Sequence, residues 1–262
     1  MKPILTYARS LSMVLKQLKV KGLVTAIMSQ SEFARLIRPI GQRPLILSSH
    51  PGDDVMAMGG AIAWYGKGKV PVHILTITAG LHGTNTGRLN RALGPKRRQE
   101  TLAAYTSLGP VIQPVFWDLD EKFLPDEDLI LRLVEFIDEL SPDIIYTPSL
   151  FDSQADSQAI NQLLQSALVR LPANRQQTIL IAQYELWSPL LPNKILNIDA
   201  FAGAKQKAIE RHESQLLCHD YLHPMIGLNR YRAAMLGAGS YAEAFYICTA
   251  RQYCLLASPR PA

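Results

Sequence analysis

Long apolar runs are missing from this 262-residue sequence, and cysteine is scarce. A membrane-spanning helix needs roughly 20 consecutive apolar residues, and no stretch approaches that length. The three cysteines, Cys218, Cys248 and Cys254, form no Cys-x-x-Cys pair, so we expect buried or half-buried thiols in a reducing compartment. No Gly-x-Gly-x-x-Gly motif follows the first apolar run, which argues against a dinucleotide-binding or methyltransferase domain. These absences leave an ordinary globular protein.

Acidic residues are nearly absent from positions 1–43. That stretch holds eight Lys and Arg residues against Glu32 alone, a formal charge of +7 in a chain whose total is +5. Leucine and valine recur there at roughly helical spacing, which predicts a basic amphipathic extension. This helix either packs on the domain with a solvated basic face, or binds an anionic membrane surface or a protein partner. No aromatic platform accompanies the basic residues, so we expect no nucleic acid partner.

The same extension bears on location. It contains no compact apolar core followed by a small-residue cleavage site, so we expect no secretory leader. We therefore expect a cytoplasmic protein, with a peripheral position at the inner face of the membrane if the basic helix binds lipid.

From residue 44 onward, apolar strand-like runs alternate with helix-like segments. This alternation predicts one α/β, Rossmann-like domain with a mostly parallel sheet flanked by helices, over residues 44–250, followed by a tail at 251–262. Residues 203–215 are expected to form one of the later helices. Ligands of such sheets bind outside the carboxyl ends of the strands, so the loops that follow the strands are expected along one rim.

Chemistry-bearing residues cluster in the stretch 48–60, which reads SSHPGDDVMAMGG. It places His50, Asp53 and Asp54 at a strand-to-helix turn. Imidazole and carboxylate groups suit zinc, and a turn can direct them to one point. The same aspartates would also serve as caps of the helix predicted from Val55. Spacing alone leaves both interpretations open.

The stretch resembles the opening motif of the PIG-L/LmbE family of zinc-dependent N-deacetylases, in which His-Pro-Asp-Asp-Glu precedes a short apolar stretch and Gly-Gly. Further segments follow in the family's order: LTITAG, RRQETLAAYTSLG, SPDIIYTPS, YELWSPLLPN, KQKAIERHESQ, LNRYRA and YAEAF. The resemblance implies the family's fold, zinc as cofactor and an N-acetylglucosamine conjugate as substrate class.

The resemblance also assigns roles to residues. In the family, the first His and second Asp of the motif bind zinc together with a later His, and the first Asp is the general base. Carried over by position, His50 and Asp53 are metal ligands, while Gly52 stands at the base position. The third-ligand position falls on Ser157, and Gln154 stands where a second histidine belongs. Zinc would therefore be bound weakly or not at all.

Two residues on the same predicted rim are candidate substitutes for the missing base. His82 follows the second strand, and Asp156 follows the fourth. A loop histidine is also commonly just a solvated side chain, so both interpretations of His82 stay open.

The resemblance further implies that Arg97, Asn229 and Arg232 bind substrate. Arg97 would also form an ordinary helical ion pair with Glu100, three residues on. Glu243 in YAEAF lies between apolar residues, which predicts a paired, buried carboxylate that either tethers the fold or contacts substrate.

Two functions follow from the altered motif. The first is a pseudoenzyme that keeps a pocket for a sugar-containing small molecule or glycolipid but has lost most deacetylase activity. The second is an amide hydrolase that deacetylates an N-acetylhexosamine glycoconjugate through a modified metal site.

Overall fold

The computed structural model describes residues 34–82 and 89–257, nearly all of them in a compact unit that begins at Arg35. Most of the predicted basic extension lies outside the described residues, so its amphipathic helix stays a prediction. Its last part, from residue 34 to residue 43, contains a short strand.

Eight strands of the described chain form one sheet, in the order β1-β7-β8-β6-β5-β2-β3-β4. They are β1 (Ala34–Leu36), β2 (Pro44–Ser48), β3 (Val72–Thr78), β4 (Ile112–Leu119), β5 (Ile144–Pro148), β6 (Leu180–Tyr184), β7 (Lys194–Asn197) and β8 (Ala242–Thr249). Strands β2 to β6 pair in parallel, and β8 runs antiparallel to β6 and β7.

Helices cover both faces of this sheet. Those in the described residues are α1 (Asp53–Lys67), α2 (Leu93–Thr106), α3 (Glu127–Leu140), α4 (Ala155–Leu168), α5 (Ala173–Thr178), α6 (Ala202–Glu210), α7 (Glu213–Leu216), α8 (Leu222–Leu236) and α9 (Ala250–Ala257). The predicted single α/β domain with a mostly parallel sheet is confirmed.

The central strands are apolar throughout because both of their faces are covered. Every residue of β2 and β5 is buried. Alternate side chains enter opposite cores: Ile46 packs with the cluster around α1 and α6, whereas Leu45 and Leu47 pack with the cluster around α3 and α4. Their continuous apolar runs are what made these strands predictable from the sequence.

The structure extends and corrects the predicted elements near the carboxyl end. The helix predicted over 203–215 is broken, because α6 ends at Glu210 and α7 begins at Glu213. The carboxylate of Glu100 accepts hydrogen bonds from the backbone N (2.8 Å) and Oγ (2.6 Å) of Ser214, which stabilises the start of α7 after the break. Beyond residue 250, α9 buries Tyr253 in the second core, so the compact region continues past the boundary predicted there.

Helix α1 is kinked at Met58, whose backbone is not helical (φ −136°, ψ 27°). The carboxylate of Glu243 accepts hydrogen bonds from the backbone N of Gly60 and Ala61, both at 2.8 Å, beyond the kink. Lys205 Nζ donates to the carbonyl of Ala57 at 3.1 Å and to Glu243 Oε1 at 2.8 Å. The buried ion pair thus satisfies backbone groups that the kink leaves open. The predicted pairing of Glu243 is confirmed, and the contacts tether the fold.

Candidate active site

A cavity opens at the carboxyl ends of β2 to β6, where the sequence predicted the ligand-binding rim. Charged, amide and aromatic side chains share its wall. They are His50, Asp53, His82, Arg97, Glu121, Lys122, Gln154, Asp156, Trp187, Gln215, His219 and Tyr221. A mixed polar and aromatic lining of this kind is typical of a small-molecule site.

His50 is held between two carboxylates. Its Nδ1 lies 2.9 Å from Asp53 Oδ2, and its Nε2 lies 2.9 Å from Asp156 Oδ2. Burial lowers the pKa of His50, but the negative charge of Asp53 and the hydrogen bonds to both carboxylates outweigh burial and raise the pKa to about 10. In the metal-free protein the imidazole is therefore a cation that lies between the two aspartates and offsets part of their negative charge.

The aspartates of the motif do not cap helix α1. The helix begins at Asp53 itself, with Gly52 just before it, so Asp53 and Asp54 lie inside its first turn. Their charge is still favourable there, because backbone N–H groups point out of the amino end of a helix. The capping interpretation is wrong in detail, and Asp53 turns its carboxylate toward His50.

The residues present do not complete a catalytic zinc centre. His50 Nδ1 and the Asp53 carboxylate are two adjacent groups that could bind a metal ion. Asp156 contacts the other ring nitrogen of His50, as carboxylates outside the ligand set commonly do beside metal-bound histidines. Ser157, at the third-ligand position, is buried with its Oγ 3.2 Å from Ser49 Oγ. Across residues 34–82 and 89–257 no group of three His, Cys, Asp or Glu side chains is arranged to hold a metal ion, whereas catalytic zinc normally has three protein ligands.

The base position is closed by a second histidine. Gly52 has a φ of 97°, and a Cβ placed on it would lie 2.6 Å from Cε1, 2.8 Å from Nδ1 and 3.0 Å from Nε2 of His212. Such distances exclude a side chain at position 52 unless the ring moves. The His212 ring therefore fills the space in which a side chain at the base position would begin.

His212 is neutral. It is fully buried, and neither ring nitrogen has a hydrogen-bond partner among the described residues. Burial, with a smaller contribution from the charge of Arg97, lowers its pKa to about 4. The neighbouring Gln215 fixes the segment in place, because its Nε2 donates to the carbonyl of Pro51 at 2.8 Å. Nothing in the spacing of the sequence indicated that residues 52 and 212 touch.

Arg97 and Glu100 are both buried and bond to different partners, so the ordinary surface ion pair does not describe them. Arg97 Nη1 donates to the carbonyl of Gly80 at 2.6 Å, and Nη2 donates to the carbonyl of His82 at 3.2 Å. Glu100 accepts its bonds from Ser214. Arg97 lines the cavity, and its role in substrate binding stays a prediction.

His82, one predicted substitute for the base, is paired with Glu121. Its Nδ1 lies 2.8 Å from Glu121 Oε2, and its backbone N donates to Oε1 at 2.9 Å. Burial alone would raise the pKa of Glu121, but the hydrogen bonds it receives outweigh burial and lower the pKa. The sequence analysis missed Glu121, whose one signal is its place just after β4 on the rim.

Asp156, the other predicted substitute, contacts both His50 and the backbone of Lys122. Its Oδ1 accepts a short hydrogen bond from the backbone N of Lys122, and its Oδ2 contacts His50. The loop after β4 is thereby joined to the loops after β2 and β5.

The other predicted substrate-binding residues, Asn229 and Arg232, are not among the residues that line the cavity. Arg232 donates to both oxygens of Glu185, at 2.8 and 2.7 Å, and to the carbonyl of Leu190 at 2.8 Å. Asn229 Nδ2 donates to the carbonyl of Ala242 at 3.0 Å. These contacts hold α8 against β8 and the loop after β6, and a substrate role for either residue stays a prediction.

One side of the cavity is aromatic, a feature that the sequence analysis did not single out. The rings of Trp187 and Tyr221 meet edge to face with centroids 5.5 Å apart, and His219 lies 5.8 Å from Tyr221. Trp187 is positioned by its backbone N, which donates to Asp152 Oδ2 at 3.1 Å. The cavity therefore combines a charged wall and an aromatic wall.

Comparison with solved structures supports the fold. The N,N'-diacetylchitobiose deacetylase of Pyrococcus horikoshii superposes with a TM-score of 0.68 at 23% identity, covering 81% of this chain and 86% of that one. The 4-carboxy-2-hydroxymuconate hydratase GalB of Pseudomonas putida KT2440 gives a TM-score of 0.65 at 21% identity, covering 84% and 97%. The shared fold thus occurs with two different named activities.

Comparison by sequence points the same way. A 4-oxalmesaconate hydratase of Pseudomonas putida KT2440 is 29% identical over 115 residues, which is 41% of this chain and 44% of the hydratase. This chain thus matches less than half the length of that relative. None of the helices in the described part of the chain is long and apolar enough to cross a membrane. Residues 45–168, just under half of the chain, match the model of the PIG-L family, which is described as GlcNAc-PI de-N-acetylase.

Proposed function

We propose that this protein binds an N-acetylhexosamine conjugate in its cavity and has lost most or all of the deacetylase activity of its relatives. The observation that carries the proposal is the contact between Gly52 and His212. A side chain at the base position would start 2.6 Å from the His212 ring, so the position cannot hold a proton acceptor in this structure. Loss of a positioned general base typically costs about 10²–10⁴-fold in rate.

The metal ligands support the same proposal. Of the three positions that would hold zinc, His50 and Asp53 lie together within the described residues, whereas the third, Ser157, has its Oγ 3.2 Å from Ser49 Oγ. No hydrolytic step through zinc is derived from this incomplete set. The His50 imidazole instead contacts both neighbouring aspartates and offsets part of their negative charge.

The aromatic wall supports a sugar ligand. A pyranose ring presents C–H groups on its faces and hydroxyl groups at its edge. Trp187 and Tyr221 offer ring surface to the former, while Gln154 and Gln215 offer amide groups to the latter. The named activity of the Pyrococcus horikoshii protein, which acts on diacetylchitobiose, adds weight to an N-acetylated sugar.

The test measures binding and cleavage separately with methyl N-acetyl-β-D-glucosaminide. We expect saturable binding by calorimetry and no release of acetate above the blank, with or without added zinc. Trp187→Leu should weaken binding by about tenfold, equivalent to about 1.4 kcal/mol. Trp64→Leu, which changes a tryptophan on α1 that packs on Phe201, is the matched control and should bind normally. Absence of binding by the unaltered protein would refute the proposal.

A second candidate function is an amide hydrolase with a modified metal site. Asp156 favours this candidate, because its carboxylate contacts His50 and could replace the ligand that is missing at Ser157. In that case zinc should raise acetate release from the same compound, and Asp156→Asn should abolish the increase. Acetate release that is unaffected by zinc and by Asp156→Asn would rule this candidate out.

We also propose that the basic extension attaches the protein weakly to anionic membranes from the cytoplasmic side. The support is its charge of +7 within residues 1–43. Vesicles containing phosphatidylserine should co-sediment the full chain at low salt and release it at high salt. Deletion of residues 2–33 should remove co-sedimentation, and equal binding by the deleted protein would contradict the proposal.

A further inference from the structure

The His82–Glu121 pair has the arrangement of a proton-transfer group. Glu121 is held inside the protein with 7% of its side chain exposed, while His82 is 37% exposed and lines the cavity. Nδ1 lies 2.8 Å from Glu121 Oε2, a close contact that favours the ring proton on Nδ1 and the lone pair on Nε2. A carboxylate that orients a histidine in this way is the supporting element of many hydrolytic sites.

The backbone around His82 is fixed as well. Glu121 Oε1 accepts the backbone N–H of His82 at 2.9 Å, and Arg97 donates to the carbonyl of the same residue at 3.2 Å. Arg97 also donates to the carbonyl of Gly80 at 2.6 Å. Both sides of the His82 peptide and its ring are therefore held, which a merely solvated loop histidine would not require.

The pair is connected to the altered site but does not depend on its metal ligands. Lys122, next to Glu121, donates its backbone N–H to Asp156, and Asp156 contacts His50. Lys122 and Arg97 line the same cavity and supply positive charge near His82. Positive charge beside a reacting carbonyl stabilises the oxyanion that forms during acyl transfer.

We propose that His82, oriented by Glu121, is a general base for metal-independent hydrolysis of an acetyl ester on a sugar ligand. Water transfers a proton to Nε2 while its oxygen attacks the acyl carbon. The bond between that carbon and the sugar oxygen then breaks, and the leaving oxygen takes the proton from Nε2. The products are acetate and a free sugar hydroxyl, and water is the only co-reactant. An ester suits this site better than an amide, because the leaving oxygen is expelled without the strong polarisation that an amide needs.

This inference rests on the proposed sugar site, and one compound separates the two. In 6-O-acetyl-N-acetyl-D-glucosamine, proton NMR distinguishes loss of the ester acetyl from loss of the amide acetyl. With protein treated with EDTA, we expect release of the O-acetyl group and retention of the N-acetyl group. His82→Ala should reduce this release by about 100-fold or more. Binding of methyl N-acetyl-β-D-glucosaminide to the unaltered protein is measured alongside, so that failure of the sugar site and failure of the base are told apart.

Glu121→Gln tests the orienting role. The charged groups that face His82 are Glu121, Asp156 and Arg97. Loss of the Glu121 charge should slow ester hydrolysis by about tenfold and move the acid limb of its pH–rate profile to lower pH, because the imidazolium loses its nearest anion. A purely structural role would reduce the rate without moving that limb.

A matched control is available in the same chain. His223 Nδ1 lies 2.7 Å from Asp220 Oδ2, but this pair is exposed and is not among the residues that line the cavity. His223→Ala should therefore hydrolyse the ester at the unaltered rate. Hydrolysis by His82→Ala within twofold of the unaltered protein, or no ester hydrolysis by the unaltered protein, would overturn the inference. Cleavage of 4-nitrophenyl acetate that depends on His82, together with no binding of the sugar, would refute the proposed sugar site. The same result would support His82 and Glu121 as the proton-transfer pair.

Discussion

Two histidines near Gly52 differ in charge. His50 lies between Asp53 and Asp156, which raise its pKa to about 10 in spite of burial. His212 has no hydrogen-bond partner among the described residues, and burial lowers its pKa to about 4. The same side chain is thus a cation at one position and a neutral, space-filling ring at the other.

The difference comes from the groups that surround each ring. His50 lies among charged side chains of the cavity wall, an arrangement that suits ligand binding. The buried ring of His212 occupies the space in which a side chain at position 52 would begin. His50 has two carboxylates beside its ring, whereas His212 is buried without a charged hydrogen-bond partner among the described residues.

The largest effect should come from exchanging each histidine for leucine. His50→Leu leaves two carboxylates without their cation and should lower the free energy of unfolding by about 3–5 kcal/mol. His212→Leu removes two polar atoms that have no partner and should change stability by less than about 1 kcal/mol in either direction. Urea denaturation of the metal-free protein measures both. Equal losses at the two positions would contradict the comparison.

Gly52→Ala should have the next largest effect. Alanine at a φ of 97° is strained, and its Cβ would meet the His212 ring at 2.6 Å. We expect a loss of about 2–4 kcal/mol in the free energy of unfolding from strain and overpacking together.

The His212→Gly background separates these two contributions. Gly52→Ala in that background should cost about 1–2 kcal/mol less, because only the backbone strain remains. If the cost is the same in both backgrounds, the His212 ring does not restrict position 52.

A plot of the free energy of unfolding against pH should show an acid limb due to His212 and an alkaline limb due to His50. His212 has a lower pKa in the folded protein than its usual 6.5, so the unfolded chain binds more protons between pH 4 and 6.5, and stability is lost as the pH falls through that range. His50 has a higher folded pKa, so its contribution is complete below pH 6.5 and is lost as the pH rises toward 10. The acid limb should amount to at most about 3 kcal/mol.

Substitution of each histidine tests which residue causes which limb of the stability–pH curve. His212→Leu should flatten the acid limb alone, and His50→Gln should flatten the alkaline limb alone, in chelator-treated protein. Chemical denaturation at a series of pH values gives both slopes. If His212→Leu leaves the acid limb intact, His212 is not the neutral group described.

Much of the fold was predictable because it depends on local patterns. Strands such as β2 and β5 are continuous apolar runs, and the loops after parallel strands must meet at one rim. Strands β1 and β7 are short, at three and four residues, and gave no such signal. The break before α7 was missed, and the hydrogen bonds that Ser214 makes after it go to Glu100, which is far away in sequence.

The candidate site was predictable only where a motif names the residues. His50 and Asp53 stand together as the motif implied, and Gly52 was identified as the altered position. The identity of its neighbour His212, the pairing of His82 with Glu121 and the aromatic wall around Trp187 are long-range contacts. No spacing rule along the chain reports which distant loop a side chain meets, so these had to come from the structure.

The central claim is that the cavity binds an N-acetylated sugar that it does not deacetylate. The most direct measurement is proton NMR of methyl N-acetyl-β-D-glucosaminide with the full chain and one equivalent of zinc, recorded for both saturation transfer and free acetate. We predict saturation transfer to the sugar protons that is weaker in Trp187→Leu, with no growth of the acetate signal. Acetate that accumulates with the unaltered protein and disappears with His50→Ala would contradict it.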